Sequence, residues 1–270
     1  MTFTGSLLAG KHQLSFAGGR VHLMGVLNLS PESKNTPTVA MSVDDALAIA
    51  EHHRSNGASI IDVGAQSSHF DNPDLDPSEE IGRLAGTVER LVAEGFLVSV
   101  DTWKPAVASA AVDLGASIIN DTGGLQDPEM VRVVGEAGVA GVAMYLEGDS
   151  PLAVGEIDID GSLVEQMIRR LGERLDGLAG LGIDDMIVDP GIGISYRTDR
   201  GSYAAHQLDV IRNLERFGSL GRPVLLPVPR KPELAPTLAM ATLALEYGAD
   251  ILRVHDVGEV AEIARLMGRL

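Results

Sequence analysis

Five short apolar runs in this chain each end in a residue that can hydrogen-bond or carry charge. Met186-Ile187-Val188 runs into Asp189 and then turns at Pro190-Gly191-Ile192-Gly193. Ser99-Val100 runs into Asp101, Ile118-Ile119 into Asn120, Val26-Leu27 into Asn28, and Ile251-Leu252 into Arg253-Val254-His255. A carboxylate accepts two parallel N–H bonds, and an amide both donates and accepts. Asp101, Asn120 and Asp189 therefore suit a flat heterocycle carrying several N–H donors. Arg253 and His255 alternate along an extended segment and point to one side. With Asn28 and the helix start at Val257 they form a credible seat for phosphate or pyrophosphate. Of the pair Arg230-Lys231, one side chain is expected to reach inward. Any one of these ends alone also reads as a turn or a cap; five together favour a site.

The elements that must position these ends follow a repeat. Proline at 190 fixes φ and has no N–H to extend a sheet, so the strand ends at Asp189. Apolar runs at Val21–Leu27, Ser59–Val63, Leu97–Val100, Ser117–Ile119, Val139–Met144, Met186–Val188, Val224–Leu226 and Ile251–Arg253 are each followed by a helical stretch. Those helices span Ser42–Asn56, Ser78–Glu94, Pro105–Leu114, Pro128–Ala137, Ser162–Leu181, Ser202–Phe217, Pro236–Tyr247 and Val257–Leu270. Most end at a glycine before the next strand, the αβ turn of a parallel barrel. Eight units in one domain of this length favour an α/β TIM (β/α)8 barrel over an open doubly wound sheet. The chain reads as a single domain over residues 1–270, with a hairpin within residues 1–20 capping the barrel bottom. In such a barrel the strand ends share the face where active sites lie.

Composition sets the outer bounds. Of 270 residues, 45% are hydrophobic and only 4% aromatic, so the core must be aliphatic. A net charge of −17 argues against a nucleic-acid footprint or attraction to an anionic membrane. It does not argue against a phosphorylated substrate, because a local basic cluster outweighs the global field at contact distance. With no cysteine, thiolate catalysis, disulfides and cysteine-ligated metals are excluded. No apolar run reaches the ~18–20 residues of a membrane span, and no secretion signal opens the chain, so a cytoplasmic location is expected.

Taken together, Gly25-Val26-Leu27-Asn28-Leu29-Ser30-Pro31-Glu32-Ser33, Ser99-Val100-Asp101-Thr102-Trp103-Lys104-Pro105, Ile119-Asn120-Asp121, Asp189-Pro190-Gly191-Ile192-Gly193, Arg230-Lys231 and Arg253-Val254-His255-Asp256-Val257 resemble the dihydropteroate synthase family in order and spacing. The resemblance runs from about Val21 to the end of the chain. It implies a TIM barrel that binds a pterin through Asp101, Asn120, Asp189 and Lys231, with Met144 along the wall. Asp101, Asp189 and Lys231 would be the catalytic set. Pyrophosphate would sit on Asn28, Ser68, His69, Arg253 and His255, with Mg²⁺ near Asn28. The implied reaction joins a dihydropterin pyrophosphate to p-aminobenzoate or a related amine acceptor and releases pyrophosphate. A homodimer is expected by the same resemblance.

Departures from the family cluster in the loops. Lys34 stands where the first loop has an aromatic residue, and Asn35-Thr36-Pro37 replaces its glycines. The usual Gly-Gly-Glu-Ser-Thr-Arg-Pro is Gly64-Ala65-Gln66-Ser67-Ser68-His69-Phe70, so an anion-binding arginine has become His69. Gly-Phe-Gly-Lys has become Gly193-Ile194-Ser195-Tyr196, Ser-Arg-Lys-Ser has become Pro229-Arg230-Lys231-Pro232, and Met-His-Met has become Met144-Tyr145-Leu146. An imidazole cannot reproduce the arginine's bidentate fork. The pterin-facing residues are kept while the shell around the second substrate is rewritten. That leaves open a divergent pterin-binding paralogue with another acceptor or no synthase activity, and a methyltetrahydrofolate-dependent methyltransferase.

Overall fold

The structure is a computed structural model and describes residues 2–30, 38–69, 72–155, 162–194, 196, 200–231 and 233–270. Lys34, Ser195 and Pro232, with the rest of the first loop's departures, lie outside the described residues. Strands β1 (Ser6–Ala9) and β2 (His12–Ser15) form an antiparallel hairpin. Eight parallel strands follow: β3 (His22–Asn28), β4 (Ala58–Gly64), β5 (Val98–Asp101), β6 (Ile118–Asp121), β7 (Ala140–Met144), β8 (Met186–Asp189), β9 (Leu225–Pro227) and β10 (Ile251–Val254). Their order is β8-β7-β6-β5-β4-β3-β10-β9. A parallel bridge between Val188 and Val224, with Val188 N–H donating to Pro223 O at 3.0 Å, joins the two ends and closes the barrel.

Helices alternate with the strands as the glycine spacing requires: α1 (Val43–Asn56), α2 (Pro77–Ala93), α3 (Pro105–Asp113), α4 (Pro128–Ala137), α5 (Leu163–Ala179), α6 (Arg200–Arg212), the short α7 (Leu214–Phe217), α8 (Leu234–Glu246) and α9 (Val257–Leu266). Ser42 caps α1 by accepting from Asp45 N–H, and Gly57 ends it at φ +112°, a conformation that costs a residue without a Cβ nothing. Several expected boundaries move; α8 begins at Leu234 rather than Pro236, and α9 ends at Leu266 rather than Leu270. Helix α2 is capped by Asp76, one step before Pro77, rather than by Ser78; a carboxylate accepting from Ser78 N–H beats a hydroxyl inside the first turn. The expected helix Ser202–Phe217 begins earlier, at Arg200, and breaks at Asn213, whose side chain bonds back to Asp209 O.

The barrel interior is aliphatic. Its lower layer packs Met24, Ile60, Leu97, Ile118, Ala140, Ile187, Leu225 and Ile251 against Leu7, Leu14 and Phe16 of the hairpin segment. The hairpin thus plugs the end of the barrel opposite the strand tips. A larger cluster lies between the sheet and the helices. Among the described residues no helix is long and apolar enough to cross a membrane.

Candidate active site

Polar residues gather where the strands end. A cavity of about 450 Å³ opens there, lined by Asn28 from β3, Ser67, Ser68 and His69 after β4, and Asp101 from β5. Its other walls are Ile192 and Gly193 after β8, Tyr203 and Gln207 of α6, Pro229, Arg230 and Lys231 after β9, and Arg253 and His255 at β10. Seven of the ten residues expected from the sequence (Asn28, Ser68, His69, Asp101, Lys231, Arg253, His255) therefore face one space. Asn120 and Asp189 do not line it; both are nearly fully buried, toward the ends of β6 and β8. Met144 packs instead with Leu146, Ile194 and Tyr196 beneath the loop after β8.

The floor is a charged network. Arg253 Nε donates to Asp62 Oδ2 at 2.6 Å and its Nη2 to Asp101 Oδ2 at 2.7 Å. Ser99 Oγ donates to Asp62 Oδ1 at 2.6 Å, and Asn120 Nδ2 reaches Asp62 Oδ2 at 3.2 Å. Asp62 has no exposed surface, so its charge is held by those three donors. The residue went unnoticed in the sequence, although an acid inside Ile60-Ile61-Asp62-Val63 is a signal: a buried strand carries a charge only where a partner waits for it. The guanidinium of Arg253 accordingly lies across the floor between two acids rather than reaching only toward an anion seat.

Asp189 is fixed by its own turn. Gly191 N–H donates to Asp189 Oδ1 at 2.7 Å, and Gly191 sits at φ +77° where a Cβ would overlap the Tyr145 carbonyl oxygen. Only glycine fits, which is why the acid is followed by Pro-Gly. Burial pushes the Asp189 carboxyl up to about 7, against the opposing pull of the Gly191 N–H and the charge of Arg253. Burial also pushes Asp101 up to about 7, against Arg253 and with added repulsion from Asp62.

Burial, and then the charges of Arg253 and Arg230, drive the His255 imidazole down to about 3, so it is neutral at physiological pH. Its Nδ1 lies 2.8 Å from Thr38 Oγ1, and Asn28 Nδ2 donates to that same hydroxyl at 3.3 Å. Arg230 ion-pairs with Asp256 at 3.2 Å, while the Lys231 ammonium forms no ion pair with a described residue. Lys104, conspicuous in the Asp-Thr-Trp-Lys-Pro run, turns away to Glu80 and Asp74 and ties the second loop to α2. Among the described residues no group of three or more acidic, histidine or cysteine side chains could hold a metal.

With the geometry in place, comparison with known proteins gives a consistent answer. Residues 24–255 match the model of a family described as pterin binding enzyme. The chain is 35% identical over 261 residues to the dihydropteroate synthase of Bacillus subtilis, covering 91% of this chain and 87% of that protein. It is 36% identical over 251 residues to a probable bifunctional folylpolyglutamate synthase/dihydropteroate synthase of Haloferax volcanii, where it spans 88% of itself but only 29% of the relative. In structure it superposes on Burkholderia cenocepacia dihydropteroate synthase complexed with 7,8-dihydropteroate at a TM-score of 0.84 and 29% identity, covering 99% of this chain and 97% of that one.

Proposed function

Because the chain belongs to the dihydropteroate synthase family of pterin-binding enzymes, we propose that it joins a dihydropterin pyrophosphate to an arylamine, p-aminobenzoate by default, and releases pyrophosphate. The observation that carries this reading is the network in which Arg253 joins Asp101 and Asp62, Asp62 accepts from Asn120, and Asp189 feels the charge of Arg253, at the strand ends beside a cavity that Lys231 and His255 also line. The acids and the amide take the N–H donors of the flat ring. Asn28, Ser68, His69, Arg253 and His255, on the same cavity wall, would meet the leaving group as it gathers negative charge when its C–O bond breaks, with Lys231 toward the ring. The electron pair goes to pyrophosphate, the amine nitrogen forms the new bond to the ring's methylene carbon, and the amine's proton leaves to solvent or to the released anion. The chain's task is to position and to stabilise charge, with no covalent nucleophile.

Magnesium fits this site in a limited way. Asn28 Nδ2 is engaged by Thr38, which leaves the amide oxygen to coordinate. Mg²⁺ commonly takes one or two protein oxygens and completes its shell with phosphate oxygens and water. Asn28 would hold the ion, which supplies charge neutralisation of the pyrophosphate. A second reading, favoured by Pro229 on the cavity wall, is that the acceptor differs from p-aminobenzoate, since proline offers no N–H or hydroxyl to a carboxylate. The test is turnover: purified protein given the dihydropterin pyrophosphate and Mg²⁺, with and without p-aminobenzoate. Dihydropteroate and pyrophosphate formed in equal amounts support the synthase. Pterin binding without condensation moves the reading to another acceptor, and no pterin binding removes both.

A further inference from the structure

Asp62 stands outside the residues that line the cavity, yet every donor on its carboxylate belongs to the floor. Ser99 and Arg253 each approach it at 2.6 Å, and Asn120 Nδ2 lies 3.2 Å from Oδ2 and 3.4 Å from Oδ1. A carboxylate only accepts. The side-chain amide of Asn120 can therefore meet Asp62 in one orientation alone, with its NH₂ toward the acid. Its oxygen accepts from none of the described residues.

We propose that Asp62 is a positioning residue that sets ligand specificity by fixing the Asn120 amide with its oxygen free for a ligand donor. The proposal rests on the pterin-binding reading and deepens it. With Asn120 locked as an acceptor, the floor presents three acceptors, the carboxyls of Asp101 and Asp189 and this oxygen. It therefore selects a ring whose buried edge is rich in donors. A pterin carries a 2-amino group and an N–H on that edge. Its 2-oxo analogue, a lumazine, places a carbonyl oxygen where the amino group would be, and a buried acceptor facing an acceptor leaves both unpaired. Ordinary amides choose their orientation from their surroundings; here the surroundings contain a charge that permits one choice.

Asp62→Ala removes the acceptor outright, whereas in Asp62→Asn the Arg253 Nε donor would hold the new amide's oxygen at the Oδ2 position, where it still accepts from Asn120. With no acceptor left opposite its NH₂, Asn120 is released to turn over in Asp62→Ala. Calorimetry with a 7,8-dihydropterin and with the matching lumazine is expected to give a clear preference for the pterin in the unaltered protein. That preference should fall roughly tenfold in Asp62→Ala, about one hydrogen bond's worth of discrimination. An unchanged ratio in a folded variant overturns the proposal and leaves the pterin reading standing; no pterin binding by the unaltered protein overturns the reading and the proposal with it. If the variant does not fold, the unaltered protein still decides. In its pterin complex the Asn120 side-chain NH₂ should exchange slowly with solvent because it stays bonded to Asp62, and fast exchange overturns the proposal.

Discussion

At the scale of single residues, two buried acids set the pH behaviour of the site. Asp101 and Asp189 are both pushed up to about 7 by burial. A ring with N–H donors binds the ionised carboxylates, so pterin affinity should rise with pH from about 5.5 and level off above about 7.5. Each proton released on binding corresponds to roughly a tenfold gain per pH unit below the plateau, so about a hundredfold where both acids must ionise. The stability of the free protein runs the other way. A carboxyl whose folded value is raised favours the folded state below its ordinary unfolded value, near 4, and that contribution is lost as pH rises through about 7. Ligand-induced stabilisation in thermal unfolding should therefore be larger at pH 8 than at pH 5.5; equal shifts would mean the acids do not meet the ligand. His255, held down to about 3, adds nothing to this window.

At the scale of elements, the strand ends were legible because each broke an apolar run, and the helices because glycine or a cap marked their limits. Asp189, Asp101 and Arg253 were found this way. Asp62 was not, because its partners Ser99, Asn120 and Arg253 come from three other strands, a relation that no local spacing carries. Nor could the sequence tell that Met144 turns toward Ile194 and Tyr196. The Asp189–Gly191 turn gives a direct check on local dictation. Gly191→Ala meets both a positive φ and the Tyr145 carbonyl, so denaturant unfolding should show a loss of at least ~1–3 kcal/mol and weaker pterin binding. A neutral effect would mean that the turn can move without cost. On the facing wall, Pro229→Ser restores a hydroxyl and an N–H beside Arg230. It should lower the KM for p-aminobenzoate if the wall has merely lost contacts, and leave it unaltered if the acceptor is a different molecule.

For the whole molecule, charge and closure are the governing features. A net charge of −17 on 270 residues makes the folded chain repel itself, and salt screens that repulsion over about 10 Å at 0.1 M. The described ion pairs are mostly exposed and individually weak, so their screening costs less than the relief of repulsion. The urea midpoint should rise as KCl is raised from 0.1 to about 1 M; a fall would show that the ion pairs dominate. The plug at the barrel bottom is the other whole-fold device. Phe16→Ala empties a fully buried site among the lower interior layer and should cost about 3–5 kcal/mol while leaving pterin affinity in the surviving folded protein unaltered. The central claim is that the strand ends form a pterin site, and binding tests it most directly. A 7,8-dihydropterin titrated calorimetrically into the unaltered protein should bind at one site per chain, and Asp189→Ala should lose most of that affinity. Equal binding by the two proteins, or none by either, would contradict it.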